Sequence, residues 1–250
     1  MSLIDLSGQN ALITGAAKRV GRVIASSLAD RGVNIVAHYN TSRAEAESLT
    51  VELKERGVGA WALQASLDDP DQIEGMWRRA LDCVPGGQLS ILVNNASIFP
   101  SDTLSTLGLE ALEQNLSINA LAPLRLIRLF ADQERPGCVV NLLDSRIGGY
   151  MRKHVSYALS KRMLFDLTRM LALELAPRVR VNAVAPGMIL PPEGEGGEAL
   201  ERLAARAPLG RWGEPEDVAG AVIFLLRNNY LTGQVIFVDG GAFIKEDLYG

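Results

Sequence analysis

Short runs of β-branched and other apolar residues alternate along this chain with longer stretches of helical periodicity. That alternation constrains the fold more than any other feature. The strand-like runs are 9–14 (QNALIT), 33–38 (VNIVAH), 60–65 (AWALQA), 89–94 (LSILVN), 138–143 (CVVNLL), 179–185 (VRVNAVA) and 234–238 (QVIFV). Helix-like stretches lie between them, at about 19–31, 42–56, 69–82, 108–133, 155–176 and 215–227. Strand, helix, strand, repeated in this way, predicts a parallel sheet covered on both faces, with right-handed crossovers. The expected architecture is α/β: one doubly wound domain over residues 1–250 with a seven-stranded parallel sheet.

Bulk properties exclude several alternatives. Net charge is −4, from 25 basic and 29 acidic residues, so no basic excess suggests nucleic acid or a membrane surface. No apolar run is long enough to span a bilayer. The opening MSLIDLSGQN lacks the basic and apolar regions of a signal peptide. Cys83 and Cys138 read as reduced core or near-core thiols. His38 and His154 are the two histidines, with no Cys/His cluster, so no metal site is expected. These features point to a cytoplasmic protein.

One segment breaks the strand–helix rhythm. Residues 187–213, GMILPPEGEGGEALERLAARAPLGRWG, follow the sixth strand. In open α/β sheets ligands bind beyond the carboxyl ends of the strands, so the insert reads as a substrate lid. A plain surface loop is the alternative.

The first strand runs into the turn ALITGAAKRVG, residues 11–21. Gly15 permits a tight turn after Thr14, and Gly21 lets a helix pack against the sheet. The helix N-terminus above the strand favours an anion. Such a turn after the first strand of a βαβ series suggests a dinucleotide site. NAD-binding folds carry an acidic residue near the end of the second strand. Here that strand ends in His38-Tyr39-Asn40-Thr41-Ser42-Arg43, with no carboxylate before Glu45. Hydroxyls and an arginine suit a 2′-phosphate, and Lys18 and Arg19 add positive charge, so NADPH/NADP+ is the expected cofactor. Thr41 and Ser42 could instead only cap the following helix. After the fourth strand come Asn94 and Asn95, whose amides are costly to bury unpaired. They are expected to tie neighbouring strands, at least in part.

Tyr157 and Lys161 stand four apart on the helix after the fifth strand, sharing one face above the predicted crevice. A phenol titrates near 10, and a nearby ammonium favours its ionised form. Tyr157 can then pass a proton while hydride moves.

Thr14-Gly15 with Gly21, Asn94-Asn95-Ala96, Asn119, Tyr157 with Lys161, Pro186-Gly187 and the terminal FVDGG at 237–241 together resemble the short-chain dehydrogenase/reductase family, over nearly the whole chain. The resemblance implies a Rossmann-type domain and a homo-oligomer, usually a tetramer built on the long helices. It implies that Asn119 holds a water in a proton relay reaching Lys161, which also holds the nicotinamide ribose. It extends the cofactor surface to Val20 beside Gly21, to Ser66 and Leu67 after the third strand, to Ala96 and Ser97 after the fourth, and to Ile189 beyond Gly187.

The departures narrow the expectation. Thirteen residues before the tyrosine, most of the family has a serine; this chain has Asp144, with Ser145 one residue along. A carboxylate is a poor partner for a carbonyl oxygen that becomes negative and a good one for N–H groups. If protonated, it can supply a proton to nitrogen. Arg19 replaces a glycine of the usual turn, His38-Tyr39 follows the second strand, and Asn95-Ala96-Ser97 precedes the aromatic Phe99. Together these resemble the pteridine reductases and dihydromonapterin reductases. That branch implies that Phe99 stacks on a pterin ring, that Ser97 hydrogen-bonds it, that Arg19 reaches phosphate or pterin, and that Asp144 and Tyr157 manage protons. Phe99 could alternatively be a core aromatic. Ser66 stands where the family often has an aspartate near adenine, and Pro191 where many members have a threonine near the nicotinamide amide. The expected activity is NADPH-dependent reduction of a pteridine C=N bond. The alternatives are a carbonyl (3-oxoacyl-type) reductase relying on Ser145, and a non-catalytic NADPH-binding sensor.

Overall fold

All seven apolar runs form strands: β1 (Asn10–Ile13), β2 (Asn34–Tyr39), β3 (Ala60–Gln64), β4 (Ile91–Asn94), β5 (Gly137–Leu142), β6 (Val179–Pro186) and β7 (Val235–Val238). In the computed structural model, which describes residues 3–190 and 207–244, they pair into one parallel sheet ordered β3-β2-β1-β4-β5-β6-β7. The helices are α1 (Arg19–Ala29), α2 (Arg43–Glu55), α3 (Pro70–Cys83), α4 (Leu109–Leu116), α5 (Ala122–Ala131), α6 (Val155–Glu174) and α7 (Pro215–Arg227).

Period-two alternation along the strands separates two cores. Ala11 and Ile13 of β1, Ile91 and Val93 of β4, and Val140 and Leu142 of β5 face one side, with Ile24 and Leu28 of α1, Leu49 and Leu53 of α2, and Val222 of α7. Leu12, Leu92 and Val139 face the other side, with Met76 and Trp77 of α3 and Leu126 and Phe130 of α5. Strands covered on both faces are apolar at nearly every position, which is why the runs are near-continuous.

Local chemistry sets the helix ends. Asp69 caps α3, its carboxylate accepting from Asp71 N at 2.9 Å and Gln72 N at 3.3 Å, and Pro70 opens the helix. The predicted single helix over 108–133 is instead α4 and α5 joined by a π-turn, Ser117–Leu121. Pro123 has no N–H to give the carbonyl of Asn119 four residues earlier, so the regular ladder is interrupted there.

The strand order reverses between β2 and β4 on either side of β1. This places a crevice above the carboxyl ends of β1 and β4, where Thr14 and Asn95 lie. The sixth strand leads into residues 187–190, and residues 207–214 lead into α7. The expected lid, with Pro191, falls mainly on 191–206, outside the described residues.

Candidate active site

The turn after β1 is held from several directions. Thr14 Oγ1 accepts from Asn95 N at 2.9 Å and from Ala96 N at 3.0 Å. The Asn95 amide donates back to the carbonyls of Thr14 and Gly15, at 2.9 and 3.0 Å. Gly15 has φ 64°. A Cβ on Gly21 would lie 2.2 Å from the Gly15 carbonyl oxygen and 2.5 Å from Asn95 Nδ2. The first turn of α1 therefore sits directly on the β1 turn, and no acidic side chain occupies it. That arrangement suits an anion.

Arg19 is the first residue of α1 and has φ 53°. The position usually filled by glycine keeps the left-handed backbone that glycine favours, and arginine adopts it here. Lys18 pairs with Glu45 at 2.7 Å, and Arg43 with Glu47 at 2.7 Å, so both cations are partnered by α2. Asn40 and Thr41 are exposed beside them, and Tyr39 is half-buried. Ser42 is the N-cap residue of α2, but its hydroxyl makes no cap hydrogen bond. The helix-capping alternative for that residue is therefore not what this structure shows.

His38 departs from the expected cofactor contact. Its ring is buried, accepting from Gly15 N at Nδ1 (3.1 Å) and reaching the Ala65 carbonyl from Nε2 (3.1 Å). The two partners assign the proton to Nε2. Burial drives this imidazole down to about 4, against a smaller upward pull from Ala65. The ring braces the β1 turn from inside and does not face the crevice.

Ser66 hydrogen-bonds Asp68, its backbone N–H donates to Gln72, and Leu67 is buried beside it. Val20 is half-buried at the start of α1, Ile189 is buried, and Pro186-Gly187 close against β7 through Gly187 N to Val238 O at 2.9 Å.

Asn94 and Asn95 both tie strands, as expected. Asn94 Nδ2 donates to Asn141 Oδ1 at 2.8 Å, and Asn141 donates to Thr168 of α6 at 2.9 Å. The chain links β4, β5 and α6 through the core.

The reacting centre lies above β5. The Tyr157 hydroxyl donates to Asp144 Oδ2 at 3.0 Å. The Asp144 carboxylate also accepts from Arg146 N (2.8 Å), Nε (2.9 Å) and Nη2 (2.8 Å). Lys161 is buried, with Nζ donating to the Leu142 carbonyl at 2.6 Å and lying 5.7 Å from the Tyr157 ring centroid. Asp144, Arg146, Ile147, Met151, Tyr157, Ala158 and Lys161 line a small cleft.

Electrostatics here differ from the sequence expectation. Burial works upward on the Asp144 carboxyl, but the hydrogen bonds and charge of Arg146, with the Tyr157 hydrogen bond, outweigh it and hold the group below its ordinary value. Asp144 is a carboxylate in this arrangement and has no proton to give. Burial and the Asp144 charge push the Tyr157 phenol well above its ordinary value, with Arg146 pulling the other way. Burial lowers Lys161 to about 8, while Asp144 pulls it up. The ammonium faces a backbone carbonyl, so phenolate stabilisation by Lys161 does not dominate.

Asn119 is fully buried in the π-turn. Its side chain accepts from Ile98 N at 2.9 Å and donates to Ile98 O, Asn115 Oδ1 and Ser160 Oγ at 3.1, 3.2 and 3.0 Å. It fastens the loop before Phe99 to α6, which carries Tyr157 and Lys161.

Phe99 is 40% exposed, not a core aromatic. Its ring stacks on His154 at 3.8 Å and meets Tyr157 edgewise at 4.6 Å. Ser97 is exposed two residues earlier. His154 is held in turn by the Pro100 carbonyl on Nδ1 (2.7 Å) and by its own N–H to Asp102 O (2.8 Å). Asp102 accepts from Ser156 N and Ser156 Oγ at the start of α6. Ser145, the serine next to the vacated family position, is buried at the start of a 3₁₀ turn, while Asp144 takes the tyrosine hydroxyl.

Sequence reasoning did not single out Arg146, His154 or Asp102. Arg146 could have been read from the Asp-x-Arg spacing at a turn. The His154–Phe99 stack joins residues 55 apart, and nothing local signals it.

A doubly wound parallel sheet with a phosphate-type turn after β1 and a Tyr–Lys pair above β5 defines a class of nucleotide-dependent oxidoreductase folds. A family model described as Enoyl-(Acyl carrier protein) reductase matches residues 15–242, and the chain belongs to the short-chain dehydrogenase/reductase family. The 3-oxoacyl-(acyl-carrier-protein) reductase FabG of Staphylococcus aureus is 33% identical over 245 residues, 94% of this chain and 98% of that protein. The crystal structure of FolM alternative dihydrofolate reductase 1 from Brucella canis, complexed with NADP, matches with a TM-score of 0.91 at 33% identity, covering 96% of each chain. LugOII, a promiscuous reductase described as catalysing keto-reduction at C1 in lugdunomycin biosynthesis, matches with a TM-score of 0.90 at 28% identity, covering 96% of this chain and 100% of that one.

Proposed function

We propose that this chain is an NADPH-dependent reductase that delivers hydride to a C=N bond of a pteridine, such as a dihydropterin, dihydromonapterin or folate. The observation that carries the reading is the hydrogen bond from Tyr157 to a carboxylate, Asp144, where the family usually has a serine hydroxyl. A carboxylate suits N–H groups of an aminopyrimidine edge and, unlike a serine hydroxyl, has no hydrogen to donate to a carbonyl oxygen. Phe99, half-exposed and 4.6 Å from Tyr157, offers a stacking surface beside that pair. The likeness to a FolM alternative dihydrofolate reductase supports the same choice.

The residues fit NADPH. The acid-free first turn of α1 receives a pyrophosphate. The carboxylate-free end of β2, with Thr41, Ser42 and the cations Lys18 and Arg43, suits a 2′-phosphate. NADP-bound solved relatives agree. When bound, the nicotinamide supplies hydride. Tyr157 holds the proton to be passed to the substrate, Asp144 orients that hydroxyl, and Lys161 keeps a positive charge beneath it. Asn119 fixes the loop that carries Ser97 and Phe99. A cytoplasmic homotetramer is part of this proposal. Among the described residues, no helix is long and apolar enough to cross a membrane.

The test is NADPH consumption with a panel of dihydropterins and ketones. Turnover of ketones alone would overturn the pteridine reading.

A second reading, reduction of a carbonyl, is favoured by the FabG relatives. Asp144→Ser separates the two: it cripples a pteridine reductase and preserves or improves a ketoreductase. Tight NADPH binding with no turnover of either class would leave a sensor.

A further inference from the structure

We propose that Arg146 is a positioning residue. Its two-pronged pairing with Asp144 turns the family's neutral hydroxyl position into a neutral carboxylate–guanidinium unit aimed at Tyr157. The inference rests on the reading that Asp144 and Tyr157 flank the reacting centre.

The geometry is specific. Oδ1 of Asp144 receives Arg146 N and Nε, and Oδ2 receives Arg146 Nη2 and the Tyr157 hydroxyl, all at 2.8–3.0 Å. Two parallel guanidinium bonds fix the plane of the carboxylate, and the backbone bond fixes its rotation. The fourth donor, Tyr157, then has one place to point. An exposed ion pair would contribute little, but the Asp144 side chain is only 13% exposed while Arg146 is 40% exposed. The cation reaches inward from the cleft wall to a mostly buried anion.

Charge explains why the pair is needed. Replacing a serine by an aspartate adds one negative charge beside a centre that receives hydride. Among the described residues, the charged or titratable groups facing Asp144 are Arg146 on its own turn and Tyr157 and Lys161 on α6. With Arg146 present, the set of four carries the same net charge as a serine, tyrosine and lysine set. Without it, burial would act on the carboxylate with less to oppose it, and Asp144 would take up a proton at a higher pH. That proton would make Oδ2 a donor, in competition with the Tyr157 hydroxyl. Arg146 Cζ also lies 5.9 Å from the centroid of Phe99, so the same side chain borders the proposed stacking surface.

The test uses the full chain carrying Arg146→Gln, Arg146→Lys, Asp144→Ser and the double variant Asp144→Ser/Arg146→Gln. Carboxyl carbon NMR on labelled aspartate follows Asp144 directly and needs no substrate. We expect Asp144 to titrate about one unit or more higher in Arg146→Gln, with partial rescue in Arg146→Lys. We expect kcat with a dihydropterin to fall about tenfold in Arg146→Gln, with its acid limb moved upward, and Arg146→Gln to add almost nothing once Asp144 is serine. An unmoved Asp144 titration would overturn the proposal, as would an equal Arg146→Gln penalty in both backgrounds. If the wild type turns over no pterin, the pteridine reading fails, while the NMR titration still decides the role of Arg146.

Discussion

His38 makes the folding stability of this protein depend on pH in a way that can be isolated. Its imidazole is buried, uses both ring nitrogens, and titrates at about 4 in the folded chain because burial disfavours the cation. In the unfolded chain it titrates near 6.5. The folded state therefore resists a proton that the unfolded state accepts, and this contribution is complete above pH 6.5. It is lost as pH falls and is exhausted below about pH 4. Linkage between those two values gives a loss of about 2 kcal/mol by pH 5 and about 3 kcal/mol by pH 4. Carboxylates titrate over the same range, so the wild type alone cannot assign the effect. His38→Asn supplies the control, since its amide oxygen can still accept from Gly15 N while nothing titrates. Urea unfolding of both proteins from pH 7 to pH 4 should show the advantage of the wild type shrinking by about 3 kcal/mol. A difference that stays constant within about 1 kcal/mol across that range would refute the reasoning.

Gly21→Ala should destabilise the fold by about 1–3 kcal/mol in urea melts and weaken NADP+ binding, because its Cβ would lie 2.2 Å from the Gly15 carbonyl oxygen. Arg19→Gly relieves a left-handed arginine backbone and should raise stability by up to about 1 kcal/mol, while a fluorescence titration shows weaker NADPH or pterin binding. Unchanged binding in that variant would mean the arginine is only tolerated. Phe99→Ala should raise KM for a dihydropterin about tenfold and leave the Kd of NADPH unchanged, as measured by steady-state kinetics and direct titration.

Much of this protein was legible in its sequence. Strand and helix periods report local geometry, so β1 through β7 were found within a residue or two, and parallel pairing followed from the intervening helices. The Tyr157–Lys161 pair was legible because spacing of four on a helix is itself a contact. The interruption at Ser117–Leu121 was not read, although Pro123 marks where the ladder loses a donor. His38 was misplaced because a histidine at the end of a strand looks the same whether it faces a crevice or the core. Only the neighbouring turn of Gly15 and the carbonyl of Ala65 show which.

The sequence by itself determined the layered α/β architecture, the cofactor end of the sheet and the presence of a carboxylate where a hydroxyl is usual. Those depend on period, composition and short spacing, which are properties of consecutive residues. Tertiary structure decided what that carboxylate is. Asp144 is held as an anion because Arg146 folds back onto it as Tyr157 arrives from α6, while burial pushes the other way. Likewise one face of Phe99 is covered by His154, brought from 55 residues away to stack on it. Protonation states and ring faces follow from which groups converge in space, and convergence across a sheet leaves no local trace in the chain.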